Sequence, residues 1–151
     1  MSFKAIGTFF FLSIFTLSCG QQNTEIKQNS ESVKSDSPKQ LGFAAQINDL
    51  KTSMMTYMEM SNPSYKKIDV DECIKILKSH VNQISKTKSK SEGMKLVKST
   101  VTKLNKLNEK SGYQLIETGE REIICDIIIR AGQEKGYNKL DEDITEEFRE
   151  W

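Results

Sequence analysis

Between residues 39 and 151 apolar side chains recur at intervals of three and four, and this spacing constrains the fold more than any other feature. Such a period places them along one face of a helix, and that face leaves water only by packing against other helices. The first stretch runs from about Pro38 to Met60, with Leu41, Ala44, Ile47, Leu50, Met54, Tyr57 and Met58 as its stripe and Asn62-Pro63 as its stop. In the second, Asp69 precedes Glu72 by three residues in a capping-box-like relation, and Val70, Cys73, Ile74, Leu77, Val81 and Ile84 form the buried face. The third follows a lysine-rich loop. Ser89 and Glu92 stand in the same capping relation, Met94, Val97, Val101, Leu104 and Leu107 form the stripe, and Ser111-Gly112 ends it.

The segment Glu122 to Ile129 is rich enough in β-branched residues to suggest a strand. Its spacing argues for a helix from about Thr118 to Lys135, closed by Gly136. Ile124, Ile127, Ile128 and Ala131 share one helical face, while Glu122, Asp126 and Arg130 share the opposite one. A last short helix is expected from Asp143, docking Ile144, Phe148 and Trp151 on the rest. The expected class is therefore all-α, a single small bundle of about four to five helices in residues 39–151, a length that can bury a modest core.

Residues 1–38 read differently. Lys4 precedes an apolar run from Ala5 to Leu17, too short for the roughly 20 residues a membrane-crossing helix needs. Leu17-Ser18-Cys19-Gly20 follows, with Thr16 where a leucine is more usual, and this arrangement resembles the signal of bacterial lipoproteins. The resemblance implies that residues 1–18 are a cleaved signal peptide and that Cys19 becomes the lipidated N-terminus, palmitate among its chains. Location at the bacterial cell envelope, facing the periplasm or the cell surface, follows from it. In residues 19–38, Ile26 and Val33 are the only large apolar side chains, so this stretch is expected to be a disordered tether.

The helical domain offers little catalytic chemistry, and the expectation is a protein that is not an enzyme and uses no cofactor. Its single histidine, His80, lies seven residues after Cys73; two turns, about 10 Å of rise, separate them beyond hydrogen-bond reach. A place at the edge of the core stripe suits His80 better. No spacing of His, Cys, Asp or Glu suggests a metal site, and Asp141, Asp143 and Thr145 lack the glycine of a calcium loop. Glu117, Arg121, Glu122, Asp126 and His80 are the only catalytic candidates, and solvated helix faces explain most of them. Cys73 and Cys125 fall on or beside buried faces; in an oxidising compartment they can pair, or remain small buried thiols, and spacing decides neither.

Charge is more informative. The net charge is +1, but residues 64–110 hold 12 lysines against 5 acids and residues 117–151 hold 11 acids against 5 basic residues. On the third helix Lys95, Lys98, Lys106 and Lys110 fall on roughly one side with Lys103 nearby, a surface for an anionic partner or a face solvated opposite the acidic half. The absence of aromatic interleaving speaks against nucleic acid.

Leu115 to Thr118, Arg121-Glu122, Cys125, Gly136 and the ending Asp143 to Trp151 resemble a group of small uncharacterised bacterial helical proteins, over about 35 residues. That resemblance implies no defined activity and hints at immunity or envelope accessory roles. The reading is thus a lipid-anchored helical domain with a protein partner; the alternative is a structural envelope protein that lays its lysine face on anionic lipid headgroups. Metabolic labelling with an alkyne palmitate should tag the wild-type chain and fail to tag Cys19→Ser; equal labelling of both would refute lipidation at Cys19.

Overall fold

The computed structural model describes residues 38–151; Cys19, the expected signal peptide and the expected tether up to Ser37 lie outside the described residues. Helix α1 spans Pro38–Ser61, α2 Lys67–Ile84, α3 Lys90–Lys110 and α4 Thr118–Glu134, and a single 3-10 turn spans Glu146–Phe148. These described residues are all-helical, as the apolar spacing predicts. Helix α2 is central, packing against α1, α3 and α4, while α4 also meets α1.

Phe43, Ile47, Leu50 and Met54 line the buried side of α1 at intervals of four, three and four. The expected stripe differs at its ends. Ala44 and Tyr57 are exposed and Phe43 takes the core position, because α1 is an outer helix that buries only a narrow stripe; the side chain of Leu41 lies outside those described. Asn62 turns the chain out of the helix at φ 46°, directly before Pro63. Tyr65 then enters the core and donates its hydroxyl to the Met54 carbonyl at 3.0 Å.

Helix α2 starts three residues earlier than the Asp69 capping relation suggests, with Lys66 and not Asp69 as its N-cap. Asp69 is the third helical residue, and its carboxylate accepts the Lys66 backbone N–H at 2.9 Å and the Lys110 ammonium at 2.9 Å. At α3 the expected cap is present: Ser89 Oγ accepts the Glu92 N–H at 3.2 Å, and the Glu92 carboxylate accepts the Lys88 N–H at 2.8 Å. Helix α4 ends where Gly136 adopts φ 72°, with Tyr137 N–H donating to the Gly132 carbonyl at 3.0 Å, a closure that favours glycine.

Two buried asparagines hold the connections. Asn108 Oδ1 accepts the N–H groups of Leu115 at 3.1 Å and Ile116 at 2.9 Å, fixing the link from α3 to α4. Asn105 donates to the Phe148 carbonyl at 2.8 Å and accepts the Glu150 N–H at 3.4 Å, pinning the C-terminal segment on α3. The helix expected from Asp143 is only the 3-10 turn, because Asp143 Oδ1 accepts the Thr145 N–H at 2.9 Å and its hydroxyl at 2.6 Å, holding the chain in a local turn. Ile144, Phe148 and Trp151 nevertheless pack half-buried against the core.

Glycine has a packing role at two helical positions, Gly93 in α3 and Gly132 in α4, the latter where an added Cβ would run into Asn138 and Ile144. A Cβ on Gly93 would lie 2.5 Å from ring atoms of Tyr137, whereas a Cβ on Gly119 would meet nothing within 4 Å. Gly93→Ala should therefore lower stability by about 1–3 kcal/mol, and Gly119→Ala should leave it unchanged or raise it by up to about 1 kcal/mol. Urea unfolding of the two variants checks the contrast, and two changes of the same sign would contradict this packing.

Candidate functional site

Near the beginning of α2 Asp69 meets Lys110 at the end of α3, and near the end of α2 His80 meets Thr100 earlier in α3, so the two helices run antiparallel. Between them lies a groove of about 240 Å³, lined by Glu72, Lys75, Ile76, Ser79, His80 and Gln83 from α2 and Leu96, Thr100 and Lys103 from α3.

His80 lines it and is 1% exposed, a buried side chain at the α3 edge of the core stripe of α2. Its Nδ1 is 2.9 Å from Thr100 Oγ1 and its Nε2 has no hydrogen-bond partner. Among the described residues Thr100 has no other acceptor for its hydroxyl proton, so donation from Thr100 to Nδ1 leaves one buried group unpaired, whereas the reverse leaves two. The favoured tautomer carries the proton on Nε2, a buried donor without an acceptor. Burial pushes the His80 pKa down from 6.5 to about 4, so the ring is neutral at pH 7.

Both described cysteines are free and buried. Burial pushes the Cys73 thiol up to about 12. Burial likewise raises Cys125, whose Sγ lies 3.4 Å from Thr145 Oγ1. Neither is poised as a thiolate.

The lysines of α3, Lys95, Lys98, Lys103, Lys106 and Lys110, are all exposed. Two of them have internal partners: Lys110 bonds to Asp69 and holds its carboxyl below the usual range, and the Lys98 ammonium stands 5.4 Å from the centre of the Phe148 ring. Glu117, Glu122 and Asp126 are exposed, and Arg121 is half-buried. The structure thus brings His80 to Lys103, and brings neither to the α4 carboxylates. Sequence reasoning missed Thr100 and Lys75. Thr100 sits three residues after Val97 and four before Leu104, and this core phase could have flagged a buried hydroxyl in need of a partner.

A second cleft, of about 290 Å³, lies under the C-terminal segment and is lined by Met94, Glu142, Asp143, Ile144, Glu147 and Phe148. The Asp143 carboxylate is already engaged by Thr145 and, at 2.6 Å, by Arg149. The chain matches no protein-family model, no curated protein and no solved structure.

His80 has a consequence for stability. Its folded pKa is depressed, so the unfolded chain binds more protons between about pH 6.5 and 4, and the stability His80 supports above pH 6.5 is lost as pH falls through that window. Unfolding free energies measured by urea titration from pH 7.5 to 4 should fall more steeply for the wild type than for His80→Leu. Parallel curves would show that His80 titrates normally in the folded state.

Proposed function

We propose that this chain is a non-enzymatic bacterial envelope protein, held at a membrane by a lipid on Cys19, whose α-helical domain binds a protein partner in an immunity or adaptor role. The observation that carries this reading is the segregation of charge over the fold. Neighbouring α2 and α3 expose Lys75, Lys78, Lys95, Lys98, Lys103 and Lys106, whereas α4 and the C-terminal segment expose Glu122, Asp126, Glu134, Glu142, Glu146 and Glu147. Separated charge of this kind orients an approaching partner and speeds its capture. The neutral, buried states of His80 and Cys73 favour binding over catalysis.

Crosslinking in intact source cells, followed by purification of the tagged full-length chain, should recover a specific partner. Recovery of none at native abundance would overturn this reading. The exposed lysine row of α3 also favours a second reading, in which the domain rests on anionic headgroups. Binding to phosphatidylglycerol vesicles that weakens with salt would support it, and no binding at low salt would end it.

A further inference from the structure

The groove between α2 and α3 combines two apolar side chains, two exposed lysines and a buried histidine. Ile76 and Leu96 are half-buried in it, Lys75 and Lys103 flank it, and His80, whose buried Nε2 has no partner among the described residues, lines it. We propose that this groove docks an acidic, amphipathic segment of a protein partner, taking a carboxylate between Lys75 and Lys103 and a neighbouring apolar side chain on Ile76 and Leu96. The inference rests on the binding-domain reading above and adds the surface and the partner's chemistry.

Charge complementarity is the first support. Of the 5 acids in residues 64–110, Asp69 is bound to Lys110, and Asp71 to Lys51 and Lys67, so 3 carboxylates remain to answer the other 10 lysines of that stretch. Glu72 does contact Lys75 at 3.3 Å, but Lys75 is largely solvated and Glu72 about half so, and such an exposed pair yields to an incoming carboxylate at little cost. Volume is the second. About 240 Å³ is below the range of sites that enclose a drug-sized ligand and suits one or two protruding side chains. Relief is the third. Insertion into a bilayer needs protruding apolar side chains, yet Ile76 and Leu96 are recessed, and of the large apolar residues exposed among those described only Ile68 belongs to α2 or α3.

The test uses the chain from residue 19 to 151 carrying Cys19→Ser, so that no lipid contributes, as target for a displayed random-peptide library. Enriched peptides should carry Glu or Asp next to Leu, Ile, Val or Phe, and should crosslink to a benzoylphenylalanine placed at Ser79. Lys75→Glu combined with Lys103→Glu should weaken the selected peptides about tenfold, the sum of two rim pairs. Lys88→Glu combined with Lys139→Glu, two exposed lysines outside the groove, should leave affinity unchanged; matching thermal melts show that both variants fold. Failure to enrich any peptide, enrichment of peptides without carboxylates, or equal weakening by both pairs would overturn the proposal. So would displacement of the peptides by phosphatidylglycerol vesicles bound through Lys75 and Lys103. A partner captured in cells that crosslinks from Glu122 and not from Ser79 would remove the groove while leaving the binding-domain reading in place.

Discussion

The fold depends on the burial of α2 against three neighbours at once. Val70, Cys73, Ile74, Leu77, Val81 and Ile84 are all buried, together with Asp69 and His80, so the helix presents a wide apolar arc with polar groups at its α3 edge. Each large side chain on that arc contributes roughly 1.5–3 kcal/mol through removal from water. The outer helices can then be simpler: four buried side chains are enough to seat α1, and α4 contributes Ile124, Ile127, Ile128 and Ala131.

A consequence of this arrangement is that polar groups carried into the core must find partners there. Asp69 finds Lys110, His80 finds Thr100, and Asn105 and Asn108 take up backbone groups of the segments that follow α3. A lost partner for a buried polar group costs about 1–3 kcal/mol, so these few bonds select one register for the helices among those that the apolar stripes alone would tolerate. They also explain why the C-terminal residues stay on the bundle with little helix of their own.

Function, on this view, follows from what the same packing leaves outside. The antiparallel meeting of α2 and α3 lays two lysine-bearing helices side by side and opens a shallow groove along their seam. The acidic side chains concentrate on α4 and after it, so the charge asymmetry of the sequence becomes a difference between surfaces. An anchor at Cys19 would confine such a domain near a membrane, where the local concentration of a membrane-bound partner is high and a shallow site is enough.

The sequence by itself determined what depends on near neighbours in the chain. The helical class followed from spacings of three and four; the start of α3 followed from Ser89 and Glu92, and the end of α4 from Gly136, because caps are made by residues a few positions apart. The helical state of the isoleucine-rich segment was legible for the same reason, since Ile124, Ile127, Ile128 and Ala131 define a face whatever packs on it. Only the tertiary structure decided that Phe43 and not Ala44 enters the core, that Asp69 answers Lys110, and that His80 is buried beside Thr100. The groove with Lys75 and Lys103 was invisible for the same physical reason. Its walls come from helices whose register is set by long-range packing, and no local pattern encodes which residues of two helices will stand opposite each other.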